Sequence, residues 1–337
     1  MYQKNILKYY VIGFLVFSFF IIVPKVDAAQ VKPPTSTTWY VNISENEKGS
    51  TLNNWMYYKG YDQGKGDLSS SSTQPSTVIL DFGQPWVSGG LQGTTGFAGS
   101  YVFLSTAEIY DAARYFTSGY YYGSNNGSKI IRLAIGTNNQ NSAGTVTYAH
   151  GQAWAQLIND LNAWVKGTVA NGKVFMYGAN DIEPSYSTSN AAYNWVNGYT
   201  SKWIAPSYLL NYGAADGCKL SGTISSPGSC NNNWTQEHVY YMSWGALPAY
   251  PLPEIYTTTG SQSKQWQQLS LYSYLAHGSR MDVVGSLSQS QACNQRGGCV
   301  GTNNNPDNAW TQLWNALNGD SRTAQNMSFS SDISWRK

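Results

Sequence analysis

The chain has 337 residues, of which 11% are charged and 15% are aromatic, and its formal net charge is +2. It has no run of Lys or Arg, so it lacks the basic patch that nucleic-acid binding requires. A chain rich in Tyr, Trp, Asn and Gly suits a neutral, hydroxyl-rich ligand such as a glycan, although the same composition also occurs on protein surfaces that bind nothing.

The first 29 residues have the order of a secretory signal peptide. Lys4 and Lys8 precede an apolar run at 11–23, and cleavage is expected after Ala28 or Ala29. A retained membrane anchor is the alternative, but the run is shorter than the roughly 20 residues that span a bilayer. We expect an exported protein with no membrane association after cleavage. Because cleavage removes three lysines and one aspartate, the mature chain is near net neutrality.

The mature chain divides into a short lead-in and one long domain. Residues 30–76 are polar, with four consecutive serines at 69–72, which predicts a loop-rich lead-in, and a short strand is indicated at 39–43. The domain is predicted to span 77–337. Its predicted strands are 78–82, 130–135, 174–177, 208–212, 239–244 and 281–284. Its predicted helices are 105–118, 150–165, 189–203, 261–276 and 307–318, the first opened by a capping box of Ser105 and Glu108.

Strands that alternate with helices predict βαβ units and a parallel sheet. With six clear strands, a seventh indicated and no clear eighth, the pattern predicts a TIM-type (β/α)8-like barrel in a single domain. The alternative is an open doubly wound sheet, which usually carries a glycine-rich nucleotide-binding turn that this sequence lacks.

Four cysteines form two close pairs, Cys218 with Cys230 and Cys293 with Cys299. In an exported chain this spacing predicts two small disulfide-closed loops, the first inside an insertion at 213–233. Zinc is the competing explanation, but neither a CxxC pair nor a nearby histidine supports it.

Five acids follow predicted strands, where parallel barrels place their active sites. They are Asp81, Asp181, Glu183, Asp216 and Glu254. If the strand continues to Pro184, Asp181 and Glu183 lie on one face, roughly 6–7 Å apart along the backbone. Mutual repulsion then favours one protonated and one ionised carboxyl group, the combination that glycoside hydrolysis uses.

We therefore predict Glu183 as the acid, Asp181 as its partner and Asp81 as a supporting catalytic residue. The structural alternative is that Asp181 caps a loop and that Glu183 pairs with Lys202 or faces solvent. Substrate contacts are predicted for a further group of residues, although their turn-forming or packing roles remain alternatives. This group comprises Asp216, Glu254, Trp86, Trp244, Tyr212, Gln84 and Asn180, with Trp266 as an additional groove candidate.

Two motifs carry a family resemblance: Asp81 with Gln84 after the first strand, and Asp181-x-Glu183 on a later one. They resemble the secreted family-25 muramidases, and the chitinase-like family-18 barrels also end a strand in Asp-x-Glu. The resemblance covers short motifs within 78–216, and Asn180 occupies one position beside the chitinase motif. It implies a barrel acting on an N-acetylated glycan, whose own acetamide attacks the sugar while Glu183 acts as the acid and Asp181 orients the acetamide.

Other enzyme classes lack their motifs. There is no GxSxG turn, only three histidines, and neither an HExxH nor an EF-hand loop, so we expect no metal or cofactor. The prediction is a secreted, monomeric glycoside hydrolase acting on a polysaccharide or cell-wall glycan. The alternatives are a non-catalytic glycan-binding or cell-surface interaction protein on the same barrel, or a purely structural exported domain.

Overall fold

Parallel strands dominate the computed structural model, which describes residues 30–97 and 100–336. The strands are β1 (Thr35–Tyr40), β2 (Ser76–Asp81), β3 (Gln84–Ser88), β4 (Leu91–Thr95), β5 (Phe103–Ser105), β6 (Ile131–Asn138), β7 (Val174–Asp181), β8 (Leu209–Asn211), β9 (Ala249–Pro251), β10 (Gly285–Ser288) and β11 (Phe329–Trp335). The helices are α1 (Ser50–Ser69), α2 (Thr106–Gly123), α3 (Tyr148–Lys166), α4 (Ser189–Lys202), α5 (Gln236–Tyr240), α6 (Ser261–His277), α7 (Ser290–Gln295) and α8 (Pro306–Asn318).

Eight of these strands form one sheet in the order β10–β11–β1–β2–β6–β7–β8–β9, with every pairing parallel. A parallel bridge between Glu254, just after β9, and Leu287 of β10 brings the two edges of the sheet together. The sheet is therefore a nearly closed barrel with helices around it. The predicted (β/α)8-like barrel is confirmed, and the open-sheet alternative is wrong.

Side-chain alternation along the strands separates two apolar cores. One face of β2 and β7 supplies Ile79 and Ala179 to a smaller cluster inside the barrel. The other face supplies Val78 and Met176 to a larger cluster, which includes Trp154 of α3. Residues that follow Ile79 and Ala179 at every second position lie on the same inward face. Polar residues at those positions therefore project into the barrel at the carboxyl ends of the strands.

The prediction of a loop-rich lead-in is wrong. Residues 30–76 contain β1, which pairs with β2 and β11 in the barrel, and the 20-residue helix α1. The strand indicated at 39–43 exists but lies earlier, at β1. The serines at 69–72 do not prevent this structure, because they lie where the helix ends.

The predicted strand at 239–244 is also wrong. The segment is helical, with α5 followed by a π-helical turn at Tyr241–Gly245. Thr235 and His238 form a capping box that starts the helix, which overrides the strand-like composition of the aromatic run. The sixth barrel strand is instead β9, which lies in the following proline-rich stretch.

The last two barrel strands differ from the predicted pattern. The strand predicted at 281–284 lies slightly later, at β10, and the eighth strand is β11. The serine-rich sequence of β11 concealed it, but six of its seven residues are buried.

Both predicted disulfides are present, Cys218–Cys230 and Cys293–Cys299. The predicted signal peptide at 1–29 lies outside the described residues. Within the described residues, no helix is long and apolar enough to cross a membrane.

Candidate active site

The five predicted acids lie at or just beyond the carboxyl ends of neighbouring barrel strands. Asp81 ends β2, Asp181 ends β7, Glu183 lies two residues beyond, and Asp216 and Glu254 follow β8 and β9. We call these five residues the carboxyl cluster. One oxygen each of Asp181, Glu183 and Glu254 lies within 4.8 Å of the other two. The structure therefore brings together acids from segments more than 70 residues apart.

A serine links Asp216 to this group. The Ser185 hydroxyl lies 2.8 Å from Glu183 Oε2 and 3.2 Å from Asp216 Oδ2. A hydroxyl has one proton, so it can donate a hydrogen bond to only one of the two acids at a time. It forms hydrogen bonds with both only when one acid is protonated and donates to the hydroxyl oxygen. Ser185 is thus suited to a site in which a proton is shared.

Tyrosine hydroxyls hold the buried acids. Tyr40 donates to Asp181 Oδ2 (3.1 Å) and Tyr256 donates to Glu254 Oε1 (2.6 Å). The tyrosines fix these carboxyl groups without neutralising them.

Asp81 is held differently. Its Oδ1 accepts from the backbone N–H of Gly83 (2.8 Å). The Tyr212 hydroxyl donates to the Thr137 carbonyl oxygen (3.1 Å) and is near enough to Asp81 to lower its pKa. Gly136 makes room for this hydroxyl, since a Cβ there would lie 2.7 Å from it.

Burial raises the pKa of every member of the cluster. Burial raises the pKa of Asp81 to about 7, and it raises that of Glu183 to about 7 with a smaller contribution from the charge of Asp216. Burial and then the charge of Glu183 raise the pKa of Asp181 and of Glu254 well above the ordinary values. Burial also raises the pKa of Asp216. Several of these groups therefore carry protons near neutral pH.

An aromatic group adjoins the acids through Tyr40. Its ring stacks on Phe97 with centroids 4.6 Å apart and meets Trp335 edge-on at 5.1 Å, while Phe97 and Trp335 are 4.9 Å apart. Phe97 and Trp335 are both partly exposed. We call these three residues the aromatic wall, and they offer a surface on which a sugar ring could stack.

Several predicted binding residues do not belong to this site. Trp266 is fully buried in α6, so its predicted groove position is wrong. Trp244 lies in the π-helical turn, not at a strand end, and packs edge-on against Tyr250 at 5.2 Å. Asn180 is buried. It lies on the same side of β7 as Gly178, which faces Tyr199 of α4, and therefore on the side opposite to Asp181.

Gln84 and Trp86 lie on β3, which belongs to a separate three-stranded antiparallel sheet with β4 and β5. Gln84 is buried, donates to Thr95 Oγ1 (3.0 Å) and accepts from Ser142 (3.2 Å), so it links β3 to β4 and to the loop after β6. Trp86 is partly buried, and the strand on which it lies is not part of the barrel. Tyr212, by contrast, lies beside Asp81 as described above.

Of the structural alternatives for Glu183, the ion pair with Lys202 is absent among the described residues, whereas the side chain is partly exposed to solvent. Sequence reasoning missed Tyr40, Tyr256, Ser185, Phe97 and Trp335. The one available signal was Tyr256, two residues after Glu254 and therefore on the same side of an extended chain.

The cluster has the groups that acid–base chemistry needs. One oxygen each of Asp181, Glu183 and Glu254 lies within 4.8 Å of the other two, so two of these carboxyl groups can act on the same bond. The same three oxygens also form a donor set of the kind that a hard divalent cation takes, for which all three groups would have to lose their protons.

Comparison with known proteins adds little to this description. No protein-family model matches the chain, and no curated protein matches it. A crystal structure of a GH18 chitinase from Pseudoalteromonas aurantia is similar over 90% of this chain and 94% of that chain, with 11% sequence identity and a TM-score of 0.39. At that TM-score the likeness decides nothing, and the barrel is established by its own strand pairing. The fold and site thus define a (β/α)8-like barrel with a carboxyl cluster at the carboxyl ends of its strands.

Proposed function

We propose that the chain is a secreted glycoside hydrolase that cleaves a cell-wall or chitin-type glycan with its carboxyl cluster. The observation that carries the proposal is the convergence of Asp181, Glu183 and Glu254, with oxygens within 4.8 Å, at the end of the barrel where such enzymes act. The two disulfides and the expected signal peptide support secretion.

Glu183 is the general acid in this proposal. It is only partly buried, so a substrate can reach it, and its pKa of about 7 keeps a proton available near neutrality. It gives that proton to the glycosidic oxygen as the bond from that oxygen to the anomeric carbon breaks. A water molecule later supplies the new hydroxyl at the anomeric carbon and returns its proton to Glu183.

Asp181 is the partner of Glu183. In its ionised form it stabilises the positive charge that develops on the sugar, or it orients an acetamide of the substrate for attack. The Tyr40 hydrogen bond favours this ionised form, because it lowers the pKa that burial and Glu183 raise. Asp81 adds negative charge nearby, while Asp216 and Glu254 contact the substrate.

A non-catalytic glycan-binding protein is the second candidate, and one observation favours it. The pKa values of Asp181 and Glu254 are both raised well above normal, and if both groups are protonated, neither supplies the carboxylate that stabilises the sugar cation. Binding by the aromatic wall would need no such charge.

Release of reducing ends from chitin, peptidoglycan and β-glucans separates the two candidates. Wild type is expected to release them from one polymer, and Glu183→Gln to lose about a hundredfold or more, the scale of a general acid. The matched control is Glu45→Gln, which alters an exposed glutamate outside the carboxyl cluster, and it should keep full activity. If wild type binds a polymer without cleaving it, the binding-protein candidate is correct.

A further inference from the structure

The carboxyl cluster has no basic partner. Within the described residues none of its five carboxyl groups forms an ion pair, although ion pairs such as Arg336–Glu47 occur elsewhere in the chain. The charges that raise the pKa values of Asp181 and Glu254 come from other members of the cluster. Arg296 lies 4.5 Å above the ring of Trp335 in the aromatic wall, but it makes no ion pair with these acids.

Two buried oxygens in the cluster also lack donors. Among the described residues, Asp181 Oδ1 and Asp81 Oδ2 have no hydrogen-bond partner of ordinary geometry, and these side chains are 2% and 0% exposed. The hydroxyls of Tyr40 and Tyr212 donate to Asp181 Oδ2 and to the Thr137 carbonyl oxygen instead. Unpaired buried acceptors are costly, so the site lacks a positive charge and lacks N–H or O–H donors for these two oxygens.

The open side of the cluster is formed by Asp216 and Glu183. Both are partly buried, whereas Asp81, Asp181 and Glu254 are buried behind them. A ligand that enters the site therefore meets Asp216 and Glu183 first, with Ser185 between them.

From these observations we infer that the glycan bound here carries free amino groups, as in a deacetylated amino-sugar polymer, with one ammonium group on Asp216 beside Glu183. An ammonium supplies a positive charge and three N–H donors, which are what the cluster lacks. A glycan that carries carboxylate or sulfate groups is repelled by the same charge. This inference rests on the proposed function, which makes the ligand a sugar, and adds that the sugar carries positive charge.

Proton release is a direct consequence of this binding. Burial raises the pKa values of Asp181, Asp216 and Glu254, and the charges of neighbouring acids raise those of Asp181 and Glu254 further. A bound ammonium stabilises their ionised forms and lowers their pKa values. Binding is therefore expected to release protons, which calorimetry in buffers of different ionisation enthalpy measures.

The test is a calorimetric comparison of three hexasaccharides in the Glu183→Gln background, which prevents cleavage, with EDTA present throughout. At about pH 6 and low salt, a glucosamine hexamer should bind about tenfold or more tightly than an N-acetylglucosamine hexamer, and with proton release. A galacturonic acid hexamer should not bind detectably. The advantage of the glucosamine hexamer should shrink in about 0.5 M NaCl, because salt screens charge.

Substitutions at Asp216 locate the effect. Asp216→Asn should abolish the preference for the glucosamine hexamer, whatever its effect on the affinity for the acetylated one, and Asp216→Glu, which keeps the charge, should keep the preference. Asp160→Asn, which alters an exposed acid on α3, is the matched control and should change neither affinity.

Equal affinity for the two hexamers, a preference that survives Asp216→Asn, or no binding of any hexamer would overturn the inference. Titration of EDTA-treated wild type with Ca²⁺ alone tests a metal cation as the ligand instead: tight Ca²⁺ binding without a sugar preference would also overturn the inference. The binding comparison uses the Glu183→Gln variant, which does not cleave the sugar. If wild type shows no turnover, the proposed hydrolase activity is refuted, but the preference for an amino sugar is not. Turnover of a neutral glycan without a preference would refute only the inference made here.

Discussion

At the scale of single residues, proton sharing depends on small contacts. The hydrogen bond from Ser185 lowers the pKa of Glu183, while burial and Asp216 raise it to about 7. Glu183 must be protonated to act as the acid, so activity should fall as the pH rises above about 7.

The contact from Ser185 gives a prediction with a defined sign. Ser185→Ala removes a hydrogen bond that favours the ionised form, so the pKa of Glu183 should rise and the descending limb of the pH–rate profile should move to higher pH. The profile of kcat/KM measures this shift, and Ser201→Ala, which alters a hydroxyl bonded to the Gly198 carbonyl oxygen on α4, is the matched control. A limb that stays in place or moves to lower pH would contradict the assignment of Glu183 as the acid.

The candidate site could be predicted from the sequence only in part. Asp181 and Glu183 lie at and just beyond the end of a clear strand, so their closeness was predictable, although β7 ends at Asp181 and does not continue to Pro184 as the predicted shared face required. The contribution of Tyr40 was not predictable, because its hydroxyl reaches Asp181 across 141 residues of chain through the pairing of β1 with its neighbours. Trp266 and Trp244 were misplaced because composition does not distinguish a tryptophan in a groove from one in the packing.

At the scale of elements, glycines set how closely the outer helices pack. A Cβ on Gly119 of α2 would overlap the carbonyl oxygen of Tyr57 on α1, and one on Gly60 of α1 would overlap the carbonyl oxygen of Phe116. Gly151 and Gly198 make the same kind of contact between α3 and α4. These helices approach each other at their backbones, which leaves little room for side chains between them.

Gly119→Ala should therefore destabilise the fold by about 1–3 kcal/mol, the usual cost of overpacking. Gly66→Ala is the matched control on α1, where a Cβ meets no atom within 4 Å. It should be neutral or stabilising by up to about 1 kcal/mol, because alanine loses less backbone entropy than glycine in a helix. Urea unfolding of both variants measures the difference, and equal stabilities would contradict the close helix contact.

The helices were the easier elements to predict, for a local reason. Ser105 and Glu108 form the predicted capping box of α2, with Ser105 N donating to Glu108 Oε2 at 2.8 Å. The strands depended on partners distant in sequence. The serines of β11 look solvent-exposed until the barrel buries them, and the aromatic run at 239–244 looks like a strand until its helical cap is recognised.

At the scale of the whole molecule, the buried acids make stability depend on pH. The pKa of Asp81 is about 7 in the folded protein, above its ordinary value of 3.8, so between these values the folded state holds a proton that the unfolded state has lost. Stability is then greatest below the unfolded value and falls as the pH rises through about 7. Asp181, Glu183 and Glu254 act in the same direction.

His150 acts in the opposite direction. It is fully buried, with Nε2 2.8 Å from the Gly93 carbonyl oxygen, and burial lowers its pKa to about 4. Between about 4 and the ordinary value of 6.5, the unfolded state holds the extra proton, so this histidine favours higher pH. Four acids outweigh one histidine, and the net stability should fall from about pH 5 to about pH 7.5.

Asp81→Asn tests this balance. The free energy of unfolding, measured in urea across that pH range, should depend less steeply on pH than in wild type. The difference is at most about 1.4 kcal/mol per pH unit, the value for one proton. Asp160→Asn should leave the slope unchanged, and an unchanged slope in Asp81→Asn would show that Asp81 titrates normally.

The central claim is that Glu183 delivers a proton to a leaving group in a glycosidic cleavage, and one kinetic comparison tests it most directly. Glu183→Gln and wild type are assayed on an oligosaccharide of the polymer that wild type degrades, and on the 2,4-dinitrophenyl glycoside of the same sugar, whose leaving group needs no proton. We expect a loss of about a hundredfold or more on the oligosaccharide and less than about tenfold on the activated glycoside. Equal losses on the two substrates, or no cleavage of either by wild type, would contradict the claim.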